Sequence, residues 1–311
     1  MIITVTLNPA LDKTIILETL KVGNVNRIHQ IREDAGGKGI NVSKMIRNLE
    51  GETLATGFLG GQTGEFIRTQ LNRMGIQHDF VEVGGNTRTN FKIVDTRNQS
   101  YTDINGCGEI LTKSVLEQLE NKMNSYMTES ELMVFSGSIP KNVEKNIYAG
   151  WITKAKQRGV KTILDADGEL LREGITAGPY MIKPNIHELE MYLNKKLNGV
   201  NEVVQAARQL LDYGIGIIAV SMGEQGSIFV TGEKVIFAEA LKVDVKSTVG
   251  AGDSMVGALA YAFSKHMTLE DGIRLAVAAA SASISNEGTE MGSLEQVNYW
   301  KENVKIKSVV D

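Results

Sequence analysis

The chain has 311 residues, 42% of them in the hydrophobic set, and a formal net charge of −4. It is long for one domain, short for three, and able to bury a sizeable core. The slightly acidic balance gives no reason to expect a nucleic-acid partner, and the single cysteine, Cys107, excludes an internal disulfide and fits a reducing compartment.

The chain opens on Met1-Ile2-Ile3-Thr4-Val5-Thr6-Leu7, which reads as a β-strand and lacks the basic start and cleavage site of a signal peptide. Val42, Met45, Ile46 and Leu49 then recur at helical spacing, with Gly51 as the stop. Residues 53–59 read as a strand. Phe66, Ile67, Leu71 and Met74 mark a second helix ended by Gly75, and Leu116, Leu119, Met123 and Tyr126 mark a third. Strands follow at 132–135, 162–164, 180–182 and 217–220, with helical segments between them. The apolar run at 276–282 is too short and too serine-interrupted to span a membrane. A cytoplasmic protein with no membrane partner is therefore expected.

Short apolar strands alternating with helices predict a parallel sheet covered on both faces. Ligands bind at the carboxyl ends of strands in such sheets. Here those ends read Ser136-Gly137-Ser138, Asp165-Ala166-Asp167, Lys183-Pro184-Asn185 and Ser221-Met222-Gly223. Two segments, 11–31 and 86–105, break the alternation. They are rich in β-branched and polar residues without a helical period, and predict one small β-sheet outside the main one. Such a sheet can cover a site or pair with another subunit. The expectation is one domain over 1–311, with a lid from about 11–34 and 86–106 inserted in the core.

The most informative stretch is Thr248-Val249-Gly250-Ala251-Gly252-Asp253-Ser254. A two-glycine turn carries one carboxylate into the first turn of an apolar helix. Backbone N–H groups there can face an anion, and the helix dipole favours negative charge. A carboxylate inside a phosphate cradle suits the removal of a proton from a nucleophile that attacks phosphorus. Ala35-Gly36-Gly37-Lys38-Gly39-Ile40-Asn41 is a second glycine-rich turn before a helix. Lys38 offers a point charge for phosphate and Asn41 a donor and acceptor for hydroxyls. A tight turn with a solvated lysine explains the same residues, and the spacing is not that of a P-loop.

Asp12, after Asn8-Pro9, can accept from sugar hydroxyls or simply cap a loop. Arg88 beside Asn90 suits a phosphate and a hydroxyl, or a solvated strand edge. Asn185 and Glu188 are three apart, as in a capping box, and are also candidates to approach Mg²⁺ through water. The four histidines show no zinc spacing.

Three motifs together resemble the ribokinase-like, or phosphofructokinase-B, carbohydrate kinases over nearly the whole chain. They are Gly36-Gly37-Lys38-Gly39-Ile40-Asn41, Lys183-Pro184-Asn185-Ile186-His187-Glu188 and Gly250-Ala251-Gly252-Asp253. The resemblance implies an α/β fold: a three-layer α/β/α core with a mainly parallel sheet and a small β-sheet lid, dimerising through the lids. Within the family the chain is similar to the phosphosugar kinases at residues 4–12. It is similar to the 1-phosphofructokinases at Thr87-Arg88-Thr89-Asn90-Phe91-Lys92 and Thr102-Asp103-Ile104-Asn105-Gly106. Tagatose-6-phosphate kinases are near relatives. Two departures stand out: Ser247-Thr248 where Asp-Thr is common, and Gly108-Glu109 where Gly-Pro is common.

The resemblance implies transfer of the ATP γ-phosphoryl group to the C6 hydroxyl of fructose 1-phosphate, with Asp253 as base and Mg²⁺ bridging phosphates. A depressed carboxylate pKa would be no obstacle, because the hydroxyl acidifies only as the new bond forms. Gly250, Ala251 and Gly252 would stabilise the transferring charge. Asp12, Gly37, Asn41, Asn90 and Ser138 would meet the sugar, and Lys38, Arg88 and the partner's Arg27 its phosphate. Lys183, Asn185, Ser221, Gly223, Gly226, Thr248 and Ser281 would meet ATP, with Asn185 and Glu188 near the metal. Tagatose 6-phosphate is the alternative substrate. A non-catalytic sugar-phosphate or nucleotide sensor is the alternative of a different class.

Overall fold

A computed structural model describes residues 1–309. Fifteen strands and ten α-helices alternate along them. The strands are β1 Ile2–Thr6, β2 Ala10–Leu17, β3 Gln30–Gly36, β4 Thr53–Leu59, β5 Gln77–His78, β6 Val81–Glu82, β7 Arg88–Asp95, β8 Ser100–Asn105, β9 Leu132–Ser136, β10 Lys161–Asp165, β11 Met181–Ile182, β12 Ile217–Ser221, β13 Ser227–Val230, β14 Val235–Ala238 and β15 Ile306–Ser308. The helices are α1 Lys38–Asn48, α2 Gly61–Arg73, α3 Lys113–Tyr126, α4 Ile147–Gln157, α5 Gly168–Thr176, α6 Ile186–Leu193, α7 Gly199–Leu210, α8 Ala251–Ser264, α9 Leu269–Ile284 and α10 Leu294–Lys301.

Eleven strands form the large sheet, in the order β15-β14-β13-β12-β11-β10-β9-β1-β4-β5, with β6 also on β4. From β4 to β12 neighbouring strands are parallel, and β13 to β15 continue antiparallel. All five residues of β1 are buried, as a strand covered on both faces requires. The period of two divides them: Ile3 and Val5 pack with α3, α4, α5 and α7, whereas Ile2 packs with α1, α8 and α9. Three layers result. The chain leaves β1 toward β4 on one side and β9 on the other, so the strand order reverses there. The carboxyl ends of β1, β9, β10, β11 and β12 share one rim beside that reversal.

The small sheet is a second four-stranded unit, β3-β2-β7-β8. Both sequence segments that break the alternation contribute to it, β2 pairing parallel with β7. Its two faces differ. The register puts Asp12, Asp34, Asn90 and Lys92 on the face toward the rim, and Ile15, Ile31, Phe91, Ile93 and Ile104 on the other.

Helix α1 begins at Lys38, ahead of the first residue with apolar periodicity. Its N-cap is Gly37, at φ 115°, where a Cβ would lie 2.8 Å from Thr6 Cγ2. The glycine lets the helix start directly against β1. From Gly39 to Ile46 every residue of α1 is buried, because the helix lies between the sheet and α8. No described helix is long and apolar enough to cross a membrane.

On the opposite layer, Phe135 packs against Tyr148 and Trp151 with ring centroids 5.8 and 6.0 Å away. Phe135→Ala should cost about 3–5 kcal/mol of stability, read from the urea midpoint. A loss below about 1 kcal/mol would show that this cluster does not hold the α4 layer to the sheet.

Candidate active site

Asp253 stands in the first turn of α8, behind the N-cap Gly250 at φ 85°. A Cβ on Gly250 would sit 2.8 Å from Met291 Cε, so glycine meets both the left-handed backbone and the close contact. The first intrahelical bond runs from Ser254 N to Gly250 O, 2.8 Å. The N–H groups of Ala251, Gly252 and Asp253 therefore have no intrahelical acceptor and face the rim as an anion cradle.

The Asp253 residue is 6% exposed, and its Oδ2 accepts a 2.8 Å hydrogen bond from Asn41 Nδ2 on α1. Burial pushes its pKa up to about 6, and Asp165 adds to the rise; Lys38, the Asn41 bond and Lys183 oppose it. The helix dipole and nearby cations suggest a depressed carboxylate from the sequence. The fold reverses that expectation, because desolvation outweighs them.

Opposite Asp253 lies a charge cluster. The Asp165 side chain, fully buried at the end of β10, meets Lys38 Nζ at 3.3 Å and Lys183 Nζ at 3.4 Å. Burial alone would raise the Asp165 pKa, but Lys183 and Lys38 hold it below the usual carboxylate range. Burial works against the Lys38 charge, yet Asp165, Asp253 and Glu188 raise its pKa overall. Lys183 Nζ is only 3.0 Å from where a Gly252 Cβ would be, so glycine lets that ammonium approach the cradle. The sequence marks Asp165 only as part of a strand end. A carboxylate closing a β-strand at the rim is the feature that points to it.

The small sheet supplies a second group. Asp12 Oδ1 accepts from Asn90 Nδ2 at 2.9 Å, and Asn90 Oδ1 accepts from Gly106 N at 3.2 Å. Burial raises the Asp12 pKa. A Cβ on Gly36 would fall 2.0 Å from Asp12 Oδ2, which makes the first glycine of that motif a spacer for the carboxylate. Arg88 donates to the carbonyls of Asn8 (2.9 Å), Gly106 (2.9 Å) and Pro9 (3.3 Å). It clasps the base of the small sheet, and two of its five N–H donors are left over. Ser138 is exposed, and its Oγ accepts from Asn8 Nδ2 at 3.3 Å. Arg27 is exposed on the loop between β2 and β3.

On the other side of the rim, Asn185 and Glu188 form a complete capping box: Glu188 N donates to Asn185 Oδ1 (2.9 Å) and Asn185 N to Glu188 Oε2 (2.8 Å). The box leaves Glu188 Oε1 over. Burial raises the Glu188 pKa, against the pull of Lys38 and Lys183. Among the described residues no group of three His, Cys, Asp or Glu is placed to hold a metal. Ser221 pairs with Asn185 in an isolated bridge. Gly223 (φ 59°) and Gly226 (φ 94°) bracket the short turn into β13. Thr248 is exposed, and Ser281 is buried within α9. The departure at Ser247 has a local use: its Oγ accepts from Val249 N and from Lys92 Nζ of the small sheet, both at 3.3 Å.

This arrangement matches known proteins along the chain. A family model described as pfkB family carbohydrate kinase matches residues 5–296. A Borreliella burgdorferi protein named 1-phosphofructokinase is 38% identical over 284 residues, 91% of each chain. A Bacillus subtilis protein of the same name is 35% identical over 310 residues, 98% of this chain and 99% of the other. Phosphofructokinase-2 from Escherichia coli, solved in complex with substrates and products, superposes with a TM-score of 0.91 at 31% identity, covering 97% of this chain and 98% of that one.

The raised Asp253 pKa has a stability consequence. Its folded value of about 6 lies above the unfolded value of about 3.9. The buried charge therefore costs stability above pH 6, and protonation relieves that cost as pH falls from 6 toward 4. Asp253→Asn should stabilise the ligand-free protein at pH 8 by about 1–3 kcal/mol, with the gain vanishing near pH 4. Thermal melts across that range test it; a variant less stable than wild type at pH 8 would contradict the desolvated carboxylate.

Proposed function

Because the chain belongs to the pfkB family of carbohydrate kinases, we propose that it phosphorylates fructose 1-phosphate at the C6 hydroxyl, with ATP as donor and Asp253 as the base. The enzyme is a phosphotransferase with an alcohol group as acceptor. The observation that carries the finer reading is one carboxylate, pushed up to about 6, inside an anion cradle. Such a group is ionised at neutral pH yet basic enough to accept a proton from an attacking hydroxyl. The choice of sugar rests on the relatives named 1-phosphofructokinase.

In this reading Asp12, Asn90, Gly37, Asn41 and Ser138 orient the sugar. Lys38 and the spare donors of Arg88 meet its existing phosphate, with Arg27 from a partner. The free N–H groups of Ala251 and Gly252, with the turn at Gly250, balance the charge that grows as the phosphoryl group moves. Lys183, Asn185, Ser221, Gly223, Gly226, Thr248 and Ser281 form the nucleotide side. ATP would supply the phosphoryl group, and Mg²⁺ held near Asn185 and Glu188 would neutralise charge on the phosphates. Glu188 Oε1 is the free carboxylate oxygen suited to a metal-bound water.

The small sheet serves as a lid, tied to the rim through Lys92–Ser247 and through Arg32, which donates to Glu287 O at 3.1 Å. Its outer face supports a homodimer. Ile31, Phe91 and Ile104 are 49%, 38% and 53% exposed there, and a contiguous apolar face of this kind marks an interface. The protein then acts as one domain with an inserted lid, working in the cytoplasm.

Asp253→Asn should lower kcat by about 10²-fold or more while sugar binding persists; near-normal turnover would exclude the base role. In the wild type, kcat/KM should fall as pH drops below about 6. Arg88→Ala should raise the KM for the phosphosugar far more than that for ATP, and an equal rise in both would remove its phosphate role. Kinetics with fructose 1-phosphate, fructose 6-phosphate and tagatose 6-phosphate decide the substrate. The highest kcat/KM for tagatose 6-phosphate would replace the proposed one. A protein that binds sugar phosphate without releasing ADP would be a sensor.

A further inference from the structure

Lys44 is a buried cation that the reaction as described does not use. It lies on α1, 6% exposed, in the run of residues pressed between the sheet and α8. Its Nζ donates to Ala35 O, at the end of strand β3, and to Asn41 Oδ1 at 3.4 Å. Asn41 in turn donates from Nδ2 to Asp253 Oδ2 at 2.8 Å. The three side chains form a chain of hydrogen bonds from the small sheet to the carboxylate.

We infer that Lys44 is a positioning residue, which fixes the Asn41 amide with its NH₂ toward Asp253 and ties that orientation to the strand re-entering from the small sheet. This rests on the base role proposed for Asp253.

The chemistry is asymmetric. A carboxamide has a donor end and an acceptor end, and rotating it exchanges them. Both recorded partners of Lys44 Nζ are acceptors, and the amine has at least two N–H donors in either protonation state. It therefore holds the amide oxygen and leaves the NH₂ for Asp253. With Lys44 gone, only the ionised Asp253 itself opposes the flipped amide, and protonation of Asp253 removes that restraint. The flipped amide would face Asp253 with an oxygen, which repels the ionised carboxylate and favours its protonated form. The base would then be active only at higher pH.

A lysine without such a task is a costly occupant of this place. Burial lowers its pKa, and Arg32 adds to that; Asp34, Asp12 and Asp253 oppose it. Asp253 is faced by Lys38 and Asn41 from α1, Asp165 from β10 and Lys183 beyond β11. None of these touches the oxygen end of Asn41.

The test is the pH profile of kcat/KM for wild type, Lys44→Met, Lys44→Gln and Lys44→Arg. Lys44→Met should move the acid limb up by about one pKa unit. That gives a loss of about fivefold at pH 6 and almost none at pH 8. Lys44→Arg, which keeps the donors, should restore the wild-type limb, and Lys44→Gln should fall between them. A packing defect alone would lower the rate equally at every pH. An unmoved limb in Lys44→Met, or an equal shift in Lys44→Arg, overturns the inference. Should Lys44→Met fail to fold, an unmoved limb in Lys44→Gln does the same. Near-normal turnover of Asp253→Asn would instead defeat the base reading itself, which separates the two failures.

Discussion

The hydrogen bond from Asn41 to Asp253 joins the first turns of two helices that start at glycine-rich loops. It forms only because α1 packs directly on α8 across one face of the sheet. That packing takes Asp253 out of water, and desolvation, more than any neighbour, sets its proton affinity. Small residues make the approach possible. A Cβ on Gly257 of α8 would lie 2.8 Å from Met45 Cβ of α1. Without glycine there, the helices would part and the carboxylate would regain solvent.

Two carboxylates near each other receive opposite treatment. Asp165 sits between two ammonium groups and stays strongly acidic, whereas Asp253 has one close amide donor and becomes weakly basic. The division is useful in a phosphotransferase. Asp165 holds Lys38 and Lys183 in place beside the cradle, and Asp253, in the proposed role, is the carboxylate left to take a proton. Environments that push two like groups apart assign their roles.

The small sheet carries the other half of the site. Its polar face supplies Asp12 and Asn90, and Arg88 locks its base to the end of β1 through backbone carbonyls. The same alternation that turns these groups inward turns Ile31, Phe91 and Ile104 outward. The polar groups of the site and the exposed apolar patch are thus two faces of one register.

The sequence by itself determined the layer order, because apolar periodicity is a local property: β4 matches residues 53–59, and the four central strands lie where short apolar runs place them. It also determined the family, through three motifs, two of them glycine-rich, whose order survives in one chain. The strands β14, inside the sheet, and β15, at its edge, are not legible, since four and three residues are too few to show a period of two. The site was legible as a set of residues but not as a set of bonds. Only the tertiary structure decided that Asp253 is raised rather than depressed, and that Asp165 clamps two lysines. It also decided that Arg88 spends three donors on carbonyls and that Lys44 lies buried behind Asn41. The reason is physical. Periodicity and turn chemistry act between near neighbours in the chain, whereas desolvation and charge pairing depend on which distant segments exclude water together.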